Sequence, residues 1–172
     1  MSRQTGVRAL VINALVAALY IVLAVVPGVF NLASGAIQFR VSEGLNHLVA
    51  FNRKYLLGVV VGCVAYNAIF SPMGWVDVVF GGGQTLIALS VAAWVAPHLT
   101  KLWQKLTLTT GLMTVTMVLV AIEIVWTGKL NWATTFWPTY GSLMLSELVI
   151  MVITAPIMAA LDRILHFNRV IE

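Results

Sequence analysis

Charged side chains are scarce in this chain of 172 residues: Lys and Arg number 10, Asp and Glu 6, together 9%, while 60% is apolar and the mean hydropathy is +0.96. A soluble domain carries roughly 25% charged residues, so a soluble globular fold is excluded. The formal net charge of +4 is spread too thinly for the clustered basic face that nucleic-acid binding requires. Cysteine is nearly absent. Cys63 stands alone in an apolar run, which rules out an internal disulfide framework or paired-cysteine metal site and leaves it a small packing residue. The sequence also lacks a phosphate-binding Gly-Lys-Ser/Thr loop, a His-Glu-x-x-His pair and a dinucleotide-binding glycine pattern. The run Phe80-Gly81-Gly82-Gly83-Gln84 lies in an apolar segment with no lysine to meet a phosphate. His47, His98 and His166 are far apart and fall on different sides of the membrane, so neither a metal site nor a cofactor is expected. An enzyme is not expected either, and any ATPase has to sit on another chain.

What the chain does contain is apolar runs, near residues 7–30, 42–51, 55–70, 77–97, 102–127 and 139–166. The expected fold is an all-α integral membrane protein, one transmembrane domain over residues 1–172 with room for about six helices of roughly 20 residues. The first run is too long for a signal-peptide core and lacks a small-residue cleavage site, so it counts as a helix. The second is too short to cross about 30 Å of hydrocarbon at 1.5 Å per residue. It is therefore expected to be a partial helix shielded by its neighbours. Breaks are expected at Pro27-Gly28, Ser34-Gly35, Asn52-Arg53-Lys54, Ser71-Pro72-Met73-Gly74, Pro97-His98, and from Thr127-Gly128-Lys129 through Trp137-Pro138. With the N-terminus inside, Arg3, Arg8, Arg53, Lys54, Lys101, Lys105, Arg163 and Arg169 share one side, against Arg40 and Lys129 on the other. The positive-inside rule then places both termini in the cytoplasm of a cell with this protein in its plasma membrane.

The same topology concentrates aromatic residues outside, among them Trp75, Trp132, Trp137 and Tyr140, in loops that also carry Gln38, Arg40, Glu43, Asp77 and Asn131. An interfacial belt accounts for any one of them, yet a belt populates both faces. Apolar walls with a few convergent polar groups are what a small-molecule site needs. An outward-facing ligand site is expected. Its densest part is Gln38-Phe39-Arg40-Val41-Ser42-Glu43 with Asn46 and His47. Ser42 can cap the partial helix, and Glu43 suits its positive end. Two readings stay open there: a cap with an Arg40–Glu43 ion pair, or amide, guanidinium and carboxylate groups offered to a ligand by Gln38, Arg40, Glu43 and Asn46. Glu147, inside the last helix, is an ionisable group at membrane depth and so a candidate functional residue. Glu123 is placed near the outer interface, and Asp77 is either an N-cap or a ligand contact. Ala14 with Ala18, and Gly58 with Gly62, form small-residue faces that let helices approach closely.

The stretch Gly35-Ala36-Ile37-Gln38-Phe39-Arg40-Val41-Ser42-Glu43, followed by Phe51-Asn52-Arg53-Lys54-Tyr55, Gly62-Cys63, Phe70-Ser71-Pro72 and Asp77-Val78-Val79-Phe80-Gly81, resembles the substrate-binding S-components of energy-coupling factor transporters. Within them it is similar to the QueT family, with a further match from Gly141 to Glu147. The resemblance implies a six-helix S-component bundle whose outer loops close the pocket. It implies as partners a transmembrane coupling protein, met by Ala14 and Ala18, and two cytoplasmic ATPases, with the loaded subunit toppling in the bilayer. The family is named for uptake of a queuosine precursor, an aminomethyl deazaguanine whose guanine-like edge and amine suit Glu43 and Glu147. A branch of the family is associated with cobalamin. Gly44, Gly82 and Gly83 stand where larger residues are usual, and losing side chains there would enlarge the cavity. The amides of a bulky cobalamin would meet Gln38, Asn46, Gln84 and Asn131. Cobalamin is thus the expected ligand of a vitamin importer, with the deazapurine as the alternative. A proton-coupled secondary transporter is a more distant one, since the latter half holds no second copy of the Arg40–Glu43 pattern.

Overall fold

The computed structural model describes residues 2–29 and 40–172, so Gln38 lies outside the described residues. Among the described residues, five helical stretches are long and apolar enough to cross a membrane: Gly6–Val26, Arg53–Phe70, Trp75–His98, Leu102–Thr127 and Trp132–Leu165. Helix α1 (Ser2–Val29) has neither Gly nor Pro over residues 9–26 and continues through Pro27-Gly28, where the sequence predicts a break. A short segment follows, a 3-10 stretch over Val41–His47 that runs into α2 (Leu48–Phe51). A single turn over Arg53–Tyr55 leads to α3 (Leu56–Phe70). Then come α4 (Trp75–Asp77), a π-helical turn over Val78–Gly82, and α5 (Gly83–Val95). The chain continues with α6 (Leu102–Thr116), α7 (Val118–Thr127), α8 (Trp132–Leu165) and α9 (Phe167–Val170). The all-α membrane architecture and its short second helix agree with the apolar runs.

The surface is inverted relative to a soluble protein. Large apolar side chains such as Leu10, Leu15, Ile69, Trp94 and Ile164 are exposed on helix flanks, whereas Asn13, Glu43, Asn46, His47, Gln84, Glu123 and Glu147 are buried. Lipid is as apolar as leucine, so association among these helices has to come from close packing and interhelical hydrogen bonds. Helices α1 and α3 show how. A Cβ added at Gly58 would meet the Asn13 carbonyl oxygen at 2.7 Å, and one at Gly62 would meet Tyr20 Cβ at 2.7 Å and Ala17 Cα at 3.0 Å. The approach lets the Gly58 N–H donate to Asn13 Oδ1 at 2.7 Å. Near a helix start such N–H groups lack intrahelical partners, so Asn13 stabilises the start of α3 from a neighbouring helix.

The partial helix is enclosed on all sides, with residues 42–50 buried. On α8 it seats Gly44 against Thr154, where a Cβ would come within 2.7 Å, and His47 Nε2 lies 3.0 Å from the Met151 carbonyl. At the other end, the Tyr55 hydroxyl donates to the Phe167 carbonyl at 2.8 Å and Phe51 packs on the Phe167 ring at 5.3 Å. Asn52 Nδ2 donates to Asn168 Oδ1 at 2.7 Å, which ties α9 to the same place.

Several expectations are corrected. The last helix starts at Trp132, not at 139: Asn131 caps it by accepting from the Ala133 N–H at 2.9 Å, and Pro138 lies inside it. Pro138 withholds a donor from the Thr134 carbonyl, yet α8 continues through it. The 102–127 run bends at Met117 into two helices. Ser42 does not cap the partial helix; Arg40 holds that position, without a side-chain bond, and the Ser42 hydroxyl is buried with no partner. Asp77 does not begin its helix either. Gly74 precedes it at φ +57°, a left-handed conformation that disfavours larger residues.

Two of the three glycines expected to enlarge the cavity do not. Besides Gly44, Gly82 is occupied by its neighbour, with Val64 Cγ2 at 2.9 Å from a built Cβ; of the three, only Gly83 faces open space. Gly44 and Gly82 are close contacts between elements, not missing walls. We expect Gly62→Val to destabilise the protein by about 1–3 kcal/mol through overpacking, read as a lower thermal midpoint in detergent. Gly83→Ala should leave the midpoint unchanged or slightly higher, and equal losses at both positions would contradict the packing described here.

Candidate functional site

The buried carboxylate of Glu43 is the centre of the polar interior. It is 1% exposed, yet both oxygens are engaged: the Tyr20 hydroxyl donates to Oε1 at 2.8 Å and Asn46 Nδ2 to Oε2 at 2.6 Å. The 3-10 geometry explains the second bond, because side chains three residues apart eclipse one another at three residues per turn. Arg40 makes no ion pair with Glu43 within 4 Å among the described residues. The hydrogen bond between them is made by the backbone, the Glu43 N–H donating to the Arg40 carbonyl at 2.9 Å. The guanidinium instead acts at longer range on Glu43, Glu147 and Glu123 together.

Glu147 enters from α8 within the electrostatic range of Glu43, 4% exposed, with Oε1 lacking a hydrogen-bond partner. Asn46 Oδ1 and Ser42 Oγ are likewise buried and unpartnered. An unmet buried acceptor costs about 1–3 kcal/mol, so a folded protein that keeps several near one another has a reason to. The structure thus brings Arg40, Glu43, Asn46 and Glu147 into one region, in which several buried oxygens have no hydrogen-bond partner.

Glu123, expected near the interface, is fully buried, and neither of its oxygens has a donor. Asp77 lies close enough to act on it directly, but a second carboxylate supplies no proton donor when ionised. The turn that carries Asp77 is fixed by Asn67, whose Nδ2 donates to the Asp77 carbonyl at 3.0 Å. A Cβ at Gly81 would stand 2.8 Å from that same nitrogen, so the π-helical turn and α3 fit each other through an absent side chain. Sequence reasoning misses this second acidic region because Glu123 and Asp77 are far apart along the chain.

Other candidates have different tasks. Gln84 is 2% exposed and spends its amide nitrogen on α6, donating to Thr116 Oγ1 at 2.9 Å and the Met113 carbonyl at 3.3 Å; its oxygen accepts from Thr85 Oγ1 at 3.2 Å. These bonds sit beside the bend at Met117, where Thr116 Oγ1 donates back to the Leu112 carbonyl at 2.7 Å. Tyr140 reaches the same bend, its hydroxyl donating to the Val115 carbonyl at 3.0 Å. Gln84 and Tyr140 therefore hold helices together. Trp132 and Tyr140 both stack on Phe136, with Trp137 set edge-on to it. Trp75 and Trp137 are 70% and 69% exposed and Trp132 50%, so these indoles lie at the surface and not in the buried polar interior. Ala14 and Ala18 are exposed on α1, on the side away from α3 that Ala17 packs against. Asn131 is the cap of α8.

Two comparisons bear on this arrangement. The family model described as "QueT transporter" matches residues 10–163. The chain is also 34% identical over 163 residues to "Queuosine precursor transporter QueT" of Lactococcus lactis subsp. cremoris (strain MG1363), covering 91% of this chain and 93% of the relative. No solved structure gives a significant match.

Two substitutions separate the roles assigned above. Tyr20→Phe, which removes a hydrogen bond to a buried carboxylate, should cost about 1.5–3 kcal/mol of unfolding free energy. Gln84→Leu should cost less, about 0.5–1.5 kcal/mol, and leave ligand affinity nearly intact. Both are measured by unfolding in mixed micelles; a Gln84→Leu protein that unfolds normally but no longer binds would overturn the structural role given to Gln84.

Proposed function

This chain belongs to the QueT transporter family, and from that premise we propose that it is the substrate-binding subunit of an ATP-driven importer of a queuosine precursor, 7-aminomethyl-7-deazaguanine. The observation that carries the reading is the set of buried oxygens left without hydrogen-bond partners around Glu43. Glu147 Oε1, Asn46 Oδ1 and Ser42 Oγ lack partners close to a carboxylate already held by Tyr20 and Asn46. A deazaguanine offers ring and exocyclic N–H donors on one edge and an ammonium on its substituent. Acceptors that are costly while unmet become favourable when such a ligand supplies their donors, and its positive charge offsets part of the burden of Glu43 and Glu147.

Cobalamin fits less well. It requires cavity space at Gly44 and Gly82, and both positions are filled by neighbouring side chains. The relative named for queuosine precursor transport aligns over nearly the whole chain, which also favours the deazapurine. Topology and partnership complete the proposal: both termini in the cytoplasm, the pocket outward, and transport energy from two ATPases through a coupling protein that meets the exposed Ala14 and Ala18 face. This subunit performs no catalysis. It captures the ligand and topples against the coupling protein to release it inside.

Titration calorimetry of the purified protein should give saturable heat with 7-aminomethyl-7-deazaguanine and none with cobalamin. Glu147→Gln keeps the size of the side chain but replaces one acceptor by a donor; it should weaken deazaguanine binding by about 10-fold or more, as the loss of a charge-assisted hydrogen bond of about 1.5–3 kcal/mol requires. Tight cobalamin binding with no response to the deazaguanine would reverse the assignment.

A further inference from the structure

One sequence motif finds only part of its explanation in the fold. In Phe51-Asn52-Arg53-Lys54-Tyr55, the residues Phe51, Asn52 and Tyr55 secure α9. Arg53 forms no hydrogen bond through its side chain and no ion pair among the described residues. It lines a cavity of about 400 Å³ at the end of the bundle where the spans Arg53–Phe70 and Leu102–Thr127 begin and Trp75–His98 ends. Lys105, from the first turn of α6, lines the same cavity and also has no acidic partner among the described residues. No Asp or Glu belongs to the lining; the other polar groups are the amides of Asn52 and Asn168, and Ala93 and Pro97 contribute an apolar floor.

Two cations from separate elements converging without a carboxylate repel each other unless an anion joins them. The cavity lies at the membrane boundary on the cation-rich face, where anionic headgroups concentrate and basic pockets between helices hold lipid phosphates. We propose that this cavity binds the phosphate of an anionic lipid headgroup, with Arg53 and Lys105 on the phosphate oxygens, the Asn168 amide beside them and the glycerol end over Ala93 and Pro97. Arginine suits the task because its planar fork meets phosphate through two parallel N–H bonds. The occupied site joins the start of α6 to the end of α2 and the C-terminal α9, which Asn52 and Asn168 already link to each other. It is independent of the outward ligand and of its identity.

The test uses the full chain in nanodiscs of phosphatidylcholine, with and without phosphatidylglycerol, read by native mass spectrometry for retained lipid and by the thermal midpoint. The wild type should retain one phosphatidylglycerol in preference and melt higher in its presence. The double variant Arg53→Gln/Lys105→Gln should lose roughly 30-fold in retention, about fivefold per cation near a charged surface, and lose the thermal gain while melting normally in phosphatidylcholine. If the double variant does not fold, Arg53→Gln alone should show about fivefold weaker retention. The variant Lys101→Gln/Arg163→Gln removes two cations outside the cavity and should retain the lipid; an equal loss there would reduce the effect to general surface attraction and overturn the site. Inorganic phosphate added to phosphatidylcholine discs should give no comparable stabilisation. If it does, the cavity holds a soluble anion and the lipid assignment is wrong.

Discussion

The segment from Val41 to Phe51 is helical but rises only about 20 Å at 2.0 Å per 3-10 residue and 1.5 Å per α residue. It cannot reach across hydrocarbon, and its end groups cannot face lipid without losing hydrogen bonds that nothing replaces. Everything around it answers that constraint. Tyr20 from α1 holds Glu43, α8 meets the segment through Thr154 and the Met151 carbonyl, and Tyr55 with Phe51 fastens its far end to α9. The long helices form a lipid-resistant wall, and the short one carries the polar chemistry inside it. A carboxylate at Glu43 is tolerable there because two donors reach it before any ligand does.

Much of this is legible in the chain. Apolar run lengths are dictated by bilayer thickness, so five spans and one short helix can be counted from the order of residues alone. The acidic centre is legible for a related reason: Glu43, Asn46 and Glu147 are too costly in hydrocarbon to be placed there without partners or purpose. The Gly58 and Gly62 face also reads as a helix contact, with Asn13, Ala17 and Tyr20 as its counterpart.

What stays hidden depends on distance through space. A glycine in a sequence is equally consistent with a void and with a neighbour pressed against the backbone, which is why Gly44 and Gly82 suggest a larger cavity when they are contacts with Thr154 and Val64. A glutamine in an apolar helix can serve a ligand or another helix, and Gln84 serves α6. Pro138 reads as a break, yet α8 starts before it and continues through it. Asp77 and Glu123 are brought together by the π-helical turn, a distortion with no periodic signature, and their encounter cannot be inferred from either neighbourhood alone.

The unequal helices have a consequence for the bilayer itself. Helix α8, with 34 residues, is about 51 Å long, whereas the span Arg53–Phe70, with 18 residues, covers about 27 Å. Lipid therefore meets helices of unequal length, and no single membrane thickness matches both. Hydrophobic mismatch is relieved by tilting the body or by thinning the bilayer locally, at fractions of a kcal/mol per Å. The thickness of the surrounding membrane thereby becomes a variable that sets how far the protein leans.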